Sequence, residues 1–225
     1  DPVTGASIHV LGGHGASVWS ATFIADGSLA ATGSGDGTAR LWSTDSGRAV
    51  ASFTPTGSPV DLVACSPDGR LLATATSDGT VTVFDIGAER AVHEFAGRGS
   101  LWAIRFDRSG RRLAAAGEDG RAELHHLDRG TVTELAGHTD TVWNVVFSAD
   151  GEWVATVGAD GAVRVCATAA ADRPDVALAT GRGSLCGAAF ADRDRVLITA
   201  ARSGAVDVWD LATGAVVVSD DALRS

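Results

Sequence analysis

The sequence predicts an all-β fold, and three observations support that prediction. An Asp-Gly or Ser-Gly pair, typical of a tight turn, recurs with separations of 42, 41, 41 and 43 residues, beginning at Asp36, Asp78, Asp119, Asp160 and Ser203. Short runs of small, β-branched and aromatic residues lie between the turns and are too short for helices. Glycine accounts for 28 of 225 residues and proline for only 5, which suits many tight turns. This period of about 40 to 45 residues predicts a β-propeller of four-stranded antiparallel blades.

The first copy of the repeat shows why each element is expected. Apolar or β-branched residues dominate the segments Val18 to Phe23, Leu29 to Thr32 and Thr38 to Trp42, which we predict as strands. Ala25-Asp26-Gly27 and Gly35-Asp36-Gly37 separate them and have the composition of hairpin turns. The repeat is therefore one blade.

Five copies are predicted in a single domain or segment that spans residues 1–225. Their approximate ranges are 12–53, 54–95, 96–135, 136–179 and 180–218. Asp1 to Gly5 resembles Asp210 to Gly214, which predicts that residues 8–11 are the outer strand of a preceding blade. Five copies and one spare strand indicate part of a larger ring, and closure at five blades is the alternative.

These residues resemble the WD-repeat (tryptophan-aspartate repeat) family. The resemblance rests on Gly13-His14 and Gly137-His138 at the start of two copies, on the Asp of the second turn, and on Trp42-Ser43, Phe84-Asp85 and Trp209-Asp210 six residues later. It covers nearly the whole chain. The sequence contains Arg but no Lys, as is usual for proteins from GC-rich genomes, so we expect a bacterial member of the family. The resemblance implies a non-catalytic interaction module.

Side chains of four types, His, Thr, Asp and Trp, recur at fixed positions of the repeat and together predict a structural hydrogen-bond network. A buried chain of Trp N–H, Thr hydroxyl, His ring and Asp carboxylate satisfies each polar group and fixes strand register. The predicted members are His14, Thr32, Asp36, Trp42, Thr74, Asp78, His138, Thr156, Asp160, Thr199 and Trp209. Only the first copy has all four types, since Cys166 and His125 occupy two Trp positions and Arg182 lies near a His position.

A His, a Thr and an Asp could instead indicate nucleophilic catalysis. Recurrence once per blade favours the structural role, and the sequence has no Gly-x-Ser-x-Gly motif. A hydrolase-type propeller enzyme with a channel site stays as the alternative function. The predicted inner strands offer mostly apolar residues and Asp61, so we expect no catalytic residues.

Composition restricts the partners and the compartment. The net charge of −10 argues against nucleic-acid binding, and no apolar run is long enough to span a bilayer. Three cysteines without a C-x-x-C pattern favour a reducing environment, so we predict a cytoplasmic location. The adjacent His125 and His126 would point to opposite faces of a strand and make a poor chelate, so we predict no metal site, and we predict no cofactor. Arg105, Arg108, Arg111 and Arg112 form a basic cluster that is either a solvated face or an anion-binding patch.

A partner-binding face is predicted where the first strand of each blade begins, at the mouth of the channel. The second residue of that strand is Trp19, Asp61, Trp102, Trp143 or Cys186. The three Trp either pack between blades or form an exposed aromatic platform, and Asp61 at the same position favours exposure. Ser77, Glu118 and Arg202 precede turn residues and are expected to rim this face. The predicted partner is a protein or peptide, for example another domain of the same polypeptide, and open blade edges predict self-association.

Overall fold

The computed structural model describes residues 6–24, 26–97, 99–135, 137–168 and 176–220. These residues form five four-stranded antiparallel sheets and no helix, so the predicted all-β fold class is confirmed. It follows that no described segment has the helical length and hydrophobicity that a membrane crossing requires. In every sheet the strands are adjacent in chain order, as in a meander. We call each sheet a blade.

The unit at residues 1–98 contains two blades. Its strands are β1 (Val18–Phe23), β2 (Leu29–Ser34), β3 (Ala39–Ser43), β4 (Ala49–Phe53), β5 (Val60–Cys65), β6 (Leu71–Thr76), β7 (Val81–Asp85) and β8 (Arg90–Phe95). The predicted bounds of β1 are correct, and those of β2 and β3 differ by one or two residues. Asp26 and Gly27 of the first predicted turn lie between β1 and β2, whereas Ala25 lies outside the described residues.

The unit at residues 99–225 contains three blades. Its strands are β9 (Leu101–Phe106), β10 (Arg112–Gly117), β11 (Ala122–His126), β12 (Thr131–Leu135), β13 (Val142–Phe147), β14 (Trp153–Gly158), β15 (Ala162–Ala167), β16 (Val176–Ala179), β17 (Leu185–Ala191), β18 (Val196–Ala201), β19 (Val206–Asp210) and β20 (Ala215–Asp220). The outer strand of a preceding blade, predicted at residues 8–11, pairs with no strand of the five described blades. Residues 1–5, which suggested it, lie outside the described part, so the assignment to a preceding blade stays a prediction.

The turns that set the predicted register have the backbone that the sequence requires. The glycine after each turn Asp or Ser has a positive φ of 73° to 88°, at Gly37, Gly79, Gly120, Gly161 and Gly204. A side chain at such a φ is strained, whereas glycine is not. Each of these turns joins the second and third strands of its blade.

The core lies between the faces of neighbouring blades within each unit. In the first unit, Leu41 and Phe53 of the first blade pack with Val60 and Val63 of the second. In the second unit, Val142 and Val145 of β13 pack with small residues of β10 and β11, and Leu185 of β17 packs with residues of β14 and β15. Successive side chains of a strand point to opposite faces. The second strands of the first four blades are buried along almost their whole length, so they pack apolar residues on both faces. β20 is exposed along its whole length, and self-association through it stays a prediction.

Candidate functional site

The first strand of every blade begins with a β-bulge. One residue there is skipped in the pairing with the second strand, while the residues on either side of it are paired. The skipped residues are Trp19, Asp61, Trp102, Trp143 and Cys186, the set grouped from the sequence as candidate partner-binding residues. A bulge bends its strand and redirects a side chain. Each of these side chains is therefore directed by the same backbone irregularity, at the end of its blade that carries the Asp-Gly or Ser-Gly turn.

A second backbone feature repeats beside the bulge. The residue before the turn Asp or Ser donates its N–H to the carbonyl two residues before the bulged residue, at 2.8 to 3.0 Å. The donors are Gly35, Ser77, Glu118, Ala159 and Arg202. Bulge and rim residue are thus held together in every blade, although their side chains differ. We call the two positions the bulge face of a unit.

In the first unit the bulge face combines an exposed indole with a polar pair. Trp19 is 64% exposed, and its Nε1 would lie 3.2 Å from a β-carbon placed on Gly35. The indole therefore lies over this glycine, which leaves room for it. Asp61 accepts a 3.0 Å hydrogen bond from the Ser77 hydroxyl.

In the second unit the bulge face carries two indoles in contact. The ring centroids of Trp102 and Trp143 are 5.3 Å apart, with 54° between the ring planes. Trp102 is 49% exposed, whereas Trp143 is half-buried, and the Arg202 guanidinium lies 4.7 Å from the centroid of the Trp143 ring. Arginine over an indole is a cation-π contact. Exposed Glu118 and Cys186 complete the predicted set.

The predicted network residues of the first blade form one continuous chain of hydrogen bonds. Trp42 Nε1 donates to Thr32 Oγ1 at 2.7 Å, and that hydroxyl lies 2.7 Å from His14 Nε2. His14 Nδ1 is 2.9 Å from Asp36 Oδ2, which also accepts the Gly15 N–H. The other carboxylate oxygen accepts both the N–H and the hydroxyl of Thr38. Asp36 thus holds His14 and Gly15 at the same end of the blade as the bulge.

The turn carboxylates are held in their ionised form. Burial raises the pKa of Asp36, but the hydrogen bonds from Thr38, Gly15 and His14 outweigh it and leave the pKa well below its ordinary value. Hydrogen bonds from Thr76 and Thr80 likewise lower the pKa of Asp78.

This depression predicts how stability changes with pH. The unfolded chain takes up a proton near pH 4, before folded Asp36 does, so the stabilisation is complete above about pH 5 and is lost as the pH falls through about 4 and below. We expect Asp36→Asn to be less stable than the wild type at pH 7 and to lose less stability between about pH 5 and 3. Urea titrations at several pH values measure this difference. An acid dependence identical to that of the wild type would contradict it.

The other blades keep parts of the network. In the fourth, His138 Nδ1 lies 3.0 Å from Asp160 and Nε2 lies 2.8 Å from Thr156 Oγ1, and Cys166 is buried where the first blade has Trp42. In the fifth, Trp209 Nε1 donates to Thr199 Oγ1 at 3.0 Å. Each blade thus retains the members whose donors and acceptors its sequence still supplies.

In the second blade the predicted pair is not joined. Thr74 donates to the Thr82 carbonyl, while Asp78 accepts from Thr76 and Ser58. The second copy has no His at the start of its repeat, so the Thr74 hydroxyl has no ring nitrogen to donate to and donates to the backbone instead. Phe84 at the Trp position supplies no N–H to it.

Sequence reasoning missed two features. The bulges have no signature of their own in single residues. The fifth blade has an ion pair in which Arg182 Nη2 lies 3.3 Å from Asp207 Oδ1, and Ser219 bonds to both side chains. An Asp on β19 opposite an Arg at the His position was the signal for it.

Among the described residues no three His, Cys, Asp or Glu side chains are placed to hold a metal ion. The three cysteines, Cys65, Cys166 and Cys186, form no disulfide. Of the basic cluster, Arg112 is turned inward and donates to the Gly151 carbonyl. The other three of its four arginines, Arg105, Arg108 and Arg111, are exposed, so an anion-binding patch there stays a prediction.

Comparison with known proteins places these repeats. The family described as WD domain, G-beta repeat matches residues 5–43, 47–85, 89–125 and 129–166, which is more than half of the chain. No curated protein matches. Because 1716 solved chains match, the likeness identifies a fold rather than a partner. One is the crystal structure of RRP9 WD40 repeats, with a TM-score of 0.75 and 22% identity over 93% of this chain. The chain covers 65% of that solved chain.

Proposed function

The chain belongs to the WD40 repeat family, and on that premise we propose that it is a non-catalytic interaction scaffold whose bulge face binds a protein or peptide partner. The observation that carries this proposal is the repeated bulge. The same backbone irregularity directs side chains of three kinds, an indole in three blades, a carboxylate in one and a thiol in one. A rigid backbone with variable side chains is suited to recognition.

The second unit offers the stronger anchor. Trp and Arg are enriched among the residues that dominate binding energy at protein interfaces, and Trp143 contacts both Trp102 and Arg202 there. The cation-π contact and the neighbouring indole hold Trp143 in place, so little side-chain entropy is lost on binding. Glu118 adds a negative charge at the rim. A peptide with an apolar side chain beside a basic one is the partner that this combination favours.

Other features of the proposal rest on charge and on the cysteines. The net charge of −10 supports a protein or peptide rather than nucleic acid, and another domain of the same polypeptide is one source of such a peptide. Three unbridged cysteines support a reducing compartment, and we propose the cytoplasm.

Peptide selection on the purified protein, followed by mutation of the bulge face, tests the proposal. We expect Trp102→Ala to weaken the binding of a selected peptide by about 2 kcal/mol, roughly 30-fold in Kd, because a hot-spot indole is removed. Since half of this side chain is exposed, the free energy of unfolding should fall by about 1 kcal/mol or less. Calorimetric titration and denaturant unfolding measure the two effects.

Trp153→Ala is the matched control. This indole lies at the start of β14, at the end of the strand farthest from the bulge of the same blade. Its loss should leave the affinity of the peptide unchanged. If the affinity of the selected peptides falls in Trp153→Ala but does not change in Trp102→Ala or Trp143→Ala, the bulge face is not the binding site.

A further inference from the structure

The second unit has a pocket of about 260 Å³ between its last two blades, at the end opposite the bulges. Trp153, Val165 and Val176 of the fourth blade and Leu211 of the fifth form its apolar wall. This volume is below the roughly 300 to 1,000 Å³ of pockets for drug-sized ligands. The pocket therefore suits a small molecule rather than a folded partner.

A strained turn forms one side of this pocket. Asp192, Arg193 and Asp194 follow one another between β17 and β18 with φ of 47°, 54° and 66°. The corresponding turns of the other blades contain a glycine, for example Gly69 and Gly151, and that glycine takes the positive φ. Non-glycine residues in this region each cost on the order of 1 to 3 kcal/mol, and such strain concentrates at binding sites.

Asp194 shows what holds the strained turn in place. Its two carboxylate oxygens accept the backbone N–H groups of Ala149 and Asp150, each at 2.9 Å. These donors belong to the turn of the neighbouring blade, whereas Asp68 and Asp150 bond within their own turns. The carboxylate of Asp194 is thereby fixed at the pocket wall.

Asp210 is the second carboxylate in the wall. Both hydrogen bonds that it accepts from Thr213 reach Oδ1, so neither of them uses Oδ2. Those bonds to the N–H and hydroxyl of Thr213 lower the pKa of Asp210, and the charge of Arg195 adds to the effect. The carboxylate is therefore ionised at neutral pH.

Among the described residues the wall has one basic group, and it differs from the carboxylates in its mobility. Arg195 is exposed, and its long side chain has several rotatable bonds, whereas the two carboxylates are fixed by hydrogen bonds. Preorganised groups contribute more to binding than mobile ones. Among the described residues of the wall the fixed charge is therefore negative, and an indole such as that of Trp153 attracts cations to its face.

We propose that this pocket binds a small organic cation, an ammonium group carried on a compact apolar or aromatic body. The ammonium group meets Asp210 Oδ2 and the Asp194 carboxylate, and the apolar body packs against Trp153, Val176 and Leu211. The site is separate from the bulge face, so it can be tested independently of the partner-binding proposal.

Ligand-observed NMR titration of the full chain with two phenyl compounds tests the proposal. Phenethylamine carries an ammonium group, whereas 3-phenylpropanoate carries a carboxylate on a similar body. We expect phenethylamine to bind with a Kd of about 1 mM, the affinity usual for nine non-hydrogen atoms, and 3-phenylpropanoate to bind at least about tenfold more weakly. Equal or tighter binding of 3-phenylpropanoate, or no binding of phenethylamine at about 10 mM, would overturn the proposal.

Three variants assign the binding to this pocket. Asp210→Asn keeps an oxygen for Thr213 and removes the charge, so phenethylamine should bind about tenfold more weakly. Asp85→Asn changes the equivalent turn Asp of the second blade, which accepts the Ala88 N–H, and should leave binding unchanged. Arg195→Ala should strengthen binding or leave it unaltered, because a like charge is removed. Equal losses in Asp210→Asn and Asp85→Asn, or a loss in Arg195→Ala, would contradict the proposed site, and the Arg195 variant decides alone if Asp210→Asn does not fold.

Discussion

Truncation of Trp42 to alanine is expected to lower the free energy of unfolding by about 4 kcal/mol. Trp42 is 1% exposed, so its loss leaves a large cavity. It also removes the donor to Thr32 Oγ1 and the edge-on ring contact with His14, whose centroid is 5.8 Å away. The loss of this one side chain both leaves the cavity and breaks the network, so the two effects act together. Denaturant titration followed by circular dichroism measures the loss.

Trp19→Ala is the control in the same blade. It removes the same chemical group from a side chain that is 64% exposed, so stability should change by less than about 1 kcal/mol. Similar losses in the two variants would show that burial does not distinguish these indoles. The pair therefore tests directly the assignment of one Trp to the network and of the other to the bulge face.

Replacement of Asp36 by alanine is expected to cost about 3 kcal/mol of stability. Its carboxylate accepts bonds from Gly15, from both donors of Thr38 and from His14. Removal leaves several part-buried donors without an acceptor, and hydrogen bonds to a charged group are among the stronger ones. Equilibrium unfolding in urea at pH 7 gives the value.

Asp26→Ala provides the comparison for Asp36. Asp26 is exposed in a turn of the same blade and accepts the N–H of Ser28, which water can satisfy after the substitution. We expect a much smaller effect on the urea midpoint. Equal midpoints for the two variants would refute a stabilising role of the network.

Several features could be predicted from residues because they are local. The Asp-Gly and Ser-Gly pairs mark turns since glycine alone adopts a positive φ without strain, and the regular spacing then places four strands in each copy. The chain of hydrogen bonds from Trp42 to Asp36 was also predictable, because its donors and acceptors are side chains at fixed positions of the repeat. Where a copy lacks a member, as the second copy lacks the His and the Trp, the chain of hydrogen bonds is incomplete for the same reason.

The all-β fold class, the repeat and the register of its turns follow from the residues alone, since short-range pattern and backbone chemistry suffice for these. Tertiary packing decides which tryptophans are buried, because Trp19 and Trp42 differ in their neighbours and not in their residue type. It also decides that one residue per first strand bulges outward, that Asp194 reaches across to the N–H groups of the next blade, and that Trp153 and Asp210 share a pocket. Each of these depends on how two strands or two sheets meet, and such contacts join residues that are far apart in the chain.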